Sequence, residues 1–152
     1  MTQANLALRF VIREPPVAQG RPRISTRGGF ARAYDPPKSR EWKKVVEQYA
    51  RDAIKNSGLE FPLKGPLAIW MRFVMPLPKS SHRKRNPIPE RWSTKKPDVD
   101  NLYKGVADAM ENIVYNNDSQ IAYLNIEKKI AKQGTEPSVL IEVRTLDEEQ
   151  RS

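Results

Sequence analysis

From Leu6 to Arg13 the chain alternates, with Leu6, Leu8, Phe10 and Ile12 on one side of an extended backbone. A period of two, in a run holding aromatic and β-branched residues, predicts a strand, and Pro15-Pro16 ends it. Between Ser39 and Asn56 the period changes, and Trp42, Val45, Val46, Tyr49, Ala53 and Ile54 recur at helical spacing. Asp35-Pro36-Pro37 reads as the start of that helix, with an acidic N-cap and proline in the first turn, and Gly58 as its stop. Leu67, Ile69, Met71, Phe73 and Met75 restore the alternation over 66–75 and predict a second strand. Leu102, Val106, Ala109, Met110 and Ile113 mark a second amphipathic helix, followed by the turn cluster Asn116-Asn117-Asp118-Ser119. Ile121–Ile130 and Val139–Val143 read as two more strands, joined around Gly134 as a hairpin. The order β-α-β-α-β-β predicts an α+β two-layer sandwich, a small mixed β-sheet with two helices on one face. Crossovers between parallel neighbours are expected to be right-handed.

Two stretches carry no period. Residues 18–34 form a loop rich in glycine and arginine, and residues 76–97 a long loop punctuated by Pro76, Pro78, Pro87, Pro89 and Pro97. Long loops without structure of their own in a small domain are usually functional or disordered. At 152 residues the chain fits a single domain over 1–152, with a C-terminal tail from about 146 to 152. In that tail, Asp147-Glu148-Glu149 reads as a solvated end.

Composition narrows the chemistry. Cysteine is absent and His82 is the one histidine, which excludes thiolate nucleophiles, disulfides and multi-histidine zinc sites. No apolar run is long enough to cross a bilayer, and no basic stretch followed by an apolar segment opens the chain, so a cytoplasmic location is expected. The formal charge is +9, unevenly spread: +6 over 1–40, +2 over 41–75, +6 over 76–97 and −5 over 98–152. Such a field attracts polyanions; the plainer alternative is that it only aids solubility.

The acidic region holds the most specific pattern. Asp98 and Asp100 stand two apart just before a helix, so in an extended segment both carboxylates face one point. Asn101, Lys104 and Asp108 continue the polar side of that helix. Carboxylates without imidazole or thiolate favour a hard ion, Mg²⁺ or Mn²⁺. Plainer roles exist for each: Asp100 as a helix cap, Asp118 as a turn residue, and Lys104 as a surface lysine paired with Asp108.

Lys96-Pro97-Asp98-Val99-Asp100-Asn101-Leu102 with Lys104, Asp108-Ala109-Met110, Asn117-Asp118-Ser119-Gln120 and Lys128-Lys129 resembles the RusA family of Holliday-junction resolvases. The likeness is densest over 95–130. Upstream, Gly20-Arg21-Pro22-Arg23 and Tyr34-Asp35-Pro36 are similar to its phage-type branch, which hints at a phage or prophage source. The resemblance implies a homodimeric, Mg²⁺-dependent endonuclease that nicks four-way DNA junctions symmetrically. It places an acidic metal-binding triad on Asp98, Asp100 and Asp118 and a catalytic lysine on Lys104. Where the family often has Asp-Asp at the third acidic position, this chain has Asn117-Asp118.

Something must offset the repulsion between an acidic site and DNA. Lys79, Arg83, Lys84, Arg85, Arg91, Lys95 and Lys96 run directly into the acidic site, and Arg21, Arg23, Arg27 and Arg32 form the other concentration. Contacts of this kind position a phosphate backbone without reading sequence. Asn101 is a candidate phosphate or carboxylate partner, and His82 a candidate phosphate contact. Trp92 and Phe30 are candidates to stack on unpaired bases, with the plainer role of anchoring their loops. A four-way junction is twofold symmetric, so one site per chain makes a C2 dimer the economical arrangement. Two other functions compete: a non-catalytic nucleic-acid-binding module, and a phosphohydrolase acting on small substrates. The latter usually wants its first aspartate at the end of an apolar strand, whereas Asp98 follows Lys-Lys-Pro.

Overall fold

The computed structural model describes residues 4–147, apart from the side chain of Arg23. In chain order the main elements are β1 (Ala4–Ile12), β2 (Arg23–Ser25), β3 (Arg32–Tyr34), α1 (Pro37–Lys55), β4 (Leu67–Met75), β5 (Arg91–Trp92), α2 (Val99–Met110), β6 (Ile121–Ile130) and β7 (Ser138–Leu146). Five strands form one mixed sheet in the order β1-β7-β4-β6-β5, and β2 and β3 form a separate two-stranded hairpin. β6 runs parallel to β4; the other neighbours in the large sheet are antiparallel.

The sequence of β4 explains its central place. Leu67, Ile69, Met71 and Phe73 are buried on one face and Ala68 and Val74 on the other. Both edges of β4 are paired, with β6 on one side and β7 on the other. Trp42, Val46 and Ala50 of α1 and Leu102, Val106, Ala109 and Met110 of α2 share one core with Leu8, Phe10 and Ile12 of β1, the first-named row of β4, and Val139, Ile141 and Val143 of β7. Two helices on one face of a mixed sheet is the expected two-layer α+β arrangement. The opposite face carries its charges in pairs: Arg9–Glu142, Arg72–Glu127 and Arg144–Glu142.

Several details differ from expectation. β6 and β7 are not a hairpin, because β4 lies between them and residues 131–137 carry the chain past its end. β7 alternates between buried and half-buried positions, whereas β6 is largely exposed over its first half, and each gives one edge to β4. Leu6 leaves the buried row of β1 and is 50% exposed, because the register with β7 shifts between Leu6 and Leu8. Asp35 does not cap α1, whose N-cap is Pro36. Its two oxygens are occupied by the Gln19 amide at 3.2 Å and the Lys43 ammonium at 2.8 Å. α2 stops at Met110, and Ile113 packs from the turn beyond it. The two basic loops contain structure: β2 and β3 in the first, and a 3₁₀ turn and β5 in the second. Leu146 still belongs to β7, and residues 148–152 of the expected tail lie outside the described residues.

Candidate active site

Helix α2 sets the first two carboxylates. Asp98 occupies the N-cap position with extended backbone, yet its side chain makes no capping hydrogen bond. Asp100 lies inside the first turn and is therefore not the cap; there the helix dipole favours its charge. Asp98, Asp100, Lys104, Asp108 and Asp118 are all exposed, and Asn101 is half-buried. Among the described residues neither Lys104 nor any of these four aspartates joins an ion pair, so the Lys104–Asp108 pair that helical spacing allows is not formed.

Asp118 opens a 3₁₀ turn, Asp118–Gln120, that is firmly braced. Asn117 Oδ1 accepts from the Ser119 N–H at 2.8 Å, and Gln120 Oε1 accepts from the Asn116 and Asn117 N–H groups. Gln120 Nε2 donates to the carbonyls of Leu63 and Gly65 at 3.0 Å. The asparagine that departs from the family pattern is thus the cap of this turn. Beside the turn stands Tyr103 of α2. Burial chiefly, then the negative charges of Asp118 and Asp108, push its hydroxyl pKa above the ordinary tyrosine value.

These placements test the metal expectation. Oxygen-only donors, exposed and unclaimed by neighbours, suit a hard divalent cation. Among the described residues, however, no three His, Cys, Asp or Glu side chains are gathered closely enough to hold one ion. Asp98 and Asp100 sit together at the start of α2, while Asp118 lies within electrostatic reach of Tyr103. The donor chemistry fits, while the three carboxylates are not gathered into one cluster.

The basic loops converge on the same helix end. Residues 76–97 lead into it directly and are fastened to β6 and the segment after it. The Ser93 N–H donates to the Lys128 carbonyl at 3.0 Å, the Lys129 ammonium lies 4.3 Å from the Trp92 ring centre, and Ile88 is buried. Ile88, which sequence reasoning passed over, is this loop's apolar anchor; Trp92 is 62% exposed and held by a cation instead. The other loop is rooted where the Gln19 N–H donates to the Asn101 carbonyl at 3.0 Å. Beyond that root Phe30 is exposed, and Gly28 and Gly29 supply the positive φ the turn requires. Arg21, Arg27, Arg32, Lys79, Arg83, Lys84, Arg85, Arg91, Lys95 and Lys96 are exposed, and His82 lies among them. None of them is ion-paired among the described residues. The side chain of Arg23 lies outside the described ones. A groove of about 700 Å³ between β1 and the C-terminal half of α1 contains none of these residues.

Sequence reasoning missed Gln133 and the role of Lys128. Gln133 gave no signal, since it lies in an aperiodic segment. Lys128 gave one, a charged residue in the inward row of a strand. No helix among the described residues is long and apolar enough to cross a membrane.

Comparison with known proteins places the chain in a family. The family model described as endodeoxyribonuclease RusA matches residues 14–144. A Bacillus subtilis (strain 168) protein called "uncharacterized protein YqaN" is 35% identical over 142 residues, covering 90% of this chain and 95% of its own. The matched family hydrolyses DNA at branched junctions and is generally dependent on divalent metal. The match over most of the chain and this relative show that the chain belongs to the RusA endodeoxyribonuclease family.

Proposed function

We propose that the protein is a Mg²⁺-dependent resolvase that cuts four-way DNA junctions by paired symmetric nicks, acting as a homodimer in recombination and repair. The observation that carries this reading is the convergence of two unpaired basic loops on the start of α2, where Asp98 and Asp100 have no protein partner. The loops would seat the phosphate backbone, with Arg21, Arg23, Arg27, Arg83, Lys84, Arg85, Lys95 and Lys96 as its contacts.

Asp98, Asp100 and Asp118 would hold the metal. When bound, Mg²⁺, or Mn²⁺ in its place, supplies charge neutralisation at the phosphate and a positioned water. The hydrolysis adds water oxygen to phosphorus and breaks the bond to the 3′ oxygen, which leaves with a proton. Lys104, one turn below Asp100 on the exposed side of α2, donates to the phosphate oxygens as their charge grows. Asn101 orients a carboxylate or bonds the phosphate. One core joins β1, α1, β4, α2, β6 and β7, consistent with a single endonuclease domain. The absence of cysteine suits a cytoplasmic setting, in a bacterial or phage-infected cell.

The test is nicking of a synthetic four-way junction and of a linear duplex, with and without Mg²⁺. Paired cuts in the junction that need the ion are expected. Equal cutting of duplex and junction, or cutting unaffected by a chelator, overturns the reading.

A further inference from the structure

Lys128 interrupts the inward row of β6. Its neighbours in that row are Ile126 and the buried Ile130, and position 128 lies in register with the buried Phe73 of β4. An ammonium group pointed toward a core needs acceptors. It finds them in the main chain that leads into α2: Nζ lies 2.5 Å from the Lys95 carbonyl oxygen and 2.7 Å from that of Pro97. The Lys128 carbonyl in turn accepts from the Ser93 N–H at 3.0 Å. Segment 93–97 is therefore fastened to one residue at three points, the last immediately before Asp98. The Asp98 carbonyl then accepts from the Leu102 N–H at 3.2 Å, so the helix begins where the clamp ends. A lysine has three donors, and two of these are directed at backbone carbonyls. No acidic side chain pairs with Lys128 among the described residues.

We propose that Lys128 is a positioning residue: it fixes the backbone on which Asp98 and Asp100 stand, and thereby sets their affinity for a divalent cation. The inference rests on the metal role proposed above for those aspartates. Groups that hold ligands in place commonly govern metal affinity by 10- to 100-fold without touching the ion. The distinction from a phosphate-binding lysine is direction, since two of this ammonium's donors are aimed at main-chain carbonyls.

The test compares Lys128→Met, which keeps the stem and removes the donors, with Lys128→Arg, which keeps a cation. DNA-free protein is titrated with Mn²⁺ by calorimetry, and junction nicking is followed against Mg²⁺ concentration. Lys128→Met is expected to weaken Mn²⁺ binding by about tenfold and to raise the half-saturating Mg²⁺ similarly, with metal-free junction affinity within about twofold of wild type. Exchange of the Ser93 and Leu102 amides should quicken, and Lys128→Arg should recover part of each effect. Unchanged Mn²⁺ affinity in a Lys128→Met protein that melts like wild type overturns the proposal. So does a drop in junction affinity with a salt slope reduced by about 0.9, which would make Lys128 a phosphate contact. If Lys128→Met does not fold, Lys128→Gln carries the same measurements, and failure of both to fold assigns the residue to the scaffold instead. If wild type neither binds Mn²⁺ nor nicks junctions, the functional reading fails, and unaltered amide exchange in the variants would separately remove the clamp.

Discussion

Gln133 grips both backbone polar atoms of Arg83. Its Oε1 accepts from the Arg83 N–H at 3.1 Å, and its Nε2 donates to the Arg83 carbonyl at 2.8 Å, as a neighbouring strand would. The same Oε1 accepts from the Ile88 N–H at 3.2 Å, and the Gln133 N–H donates to the Ile88 carbonyl at 2.9 Å. A single residue thus closes the middle of a proline-rich basic loop onto the segment after β6.

Replacing Gln133 by Ala removes three of those four bonds. With each net bond worth about 0.5–1.5 kcal/mol, and these partly exposed, the stability loss should be about 1–2 kcal/mol. The Arg83 and Ile88 amides should lose hydrogen-exchange protection well beyond that global change. Junction affinity should fall, because ordering a looser loop on binding costs more entropy, while the salt slope stays constant since every cation remains. Unchanged protection at both amides would show that Ile88 burial alone holds the loop.

The three aspartates can be judged by stability as well as by activity. Asp98→Asn, Asp100→Asn and Asp118→Asn are each expected to abolish nicking while leaving junction binding intact. Asp98→Asn should lose no capping hydrogen bond, because its side chain makes none, and no more than the dipole's share of about 0.3–1 kcal/mol. Asp100→Asn should lose about 0.3–1 kcal/mol through the helix dipole. Undiminished cutting by all three variants would reject the site, and normal cutting by Asp118→Asn alone would leave the pair at α2 to act without it.

How far the chain could be read depended on whether a feature is local. The rows of β1, β4 and α1 follow from spacing alone, since alternation and helical recurrence are properties of a single segment. Strand order is not: Ile121–Ile130 and Val139–Val143 suggest adjacent partners because only a short turn separates them, whereas β4, distant in sequence from β7, lies between them and pairs with both. The same division runs through the site. Asp98 and Asp100 were legible because they are neighbours in an unusual string. The brace on Asp118 from Gln120 to Leu63 and Gly65, and the hold of Lys128 on Lys95 and Pro97, join residues far apart in the chain.

Tyr103 offers a pH probe for the position of Asp118. Its hydroxyl pKa is raised by burial first and by Asp118 and Asp108 next. Asp118→Asn should therefore lower it, though not to the ordinary value of about 10, because burial remains. The linked stability has a definite sign. A tyrosine whose folded pKa exceeds its unfolded one adds stability that is complete below about pH 10 and is lost as pH rises through the folded value. Alkaline unfolding should thus begin above about pH 10, with the buried Tyr115, also raised chiefly by burial, contributing in the same direction. Spectroscopic titration of the phenolates checks both points; a Tyr103 titration indifferent to Asp118→Asn would place that carboxylate elsewhere.

Cations with partners and cations without should differ in their effect on DNA binding. Arg83, Lys84 and Arg85 are exposed and unpaired among the described residues, whereas Arg72 lies 2.9 Å from Glu127 on the open sheet face. Converting the three loop residues to Ala should weaken junction binding and flatten its salt dependence, by about 0.9 in slope for each phosphate no longer neutralised. Arg72→Ala removes one charge but should leave the slope unchanged, because its charge is already answered by a carboxylate. A slope indifferent to the triple change would take this loop out of the DNA path.

Gly105 of α2 lies against Trp42 of α1 with little room for a side chain. A Cβ placed there would stand 3.2 Å from Trp42 Cδ1 and 3.2 Å from the Val17 carbonyl oxygen. Alanine gains up to about 1 kcal/mol in helix propensity over glycine, so the sign depends on whether the neighbours can give way. The indole can shift a little, but the Val17 carbonyl is main chain in the segment whose next anchor is the Gln19–Asn101 bond. Crowding of this kind typically costs about 1–3 kcal/mol, and it should outweigh the propensity gain. Gly105→Ala is expected to be destabilised by about 1 kcal/mol net and to lose protection at the Gln19 amide, since moving Val17 strains the root of the first basic loop. A variant more stable than wild type, with that amide still protected, would show that Trp42 and Val17 have slack around Gly105.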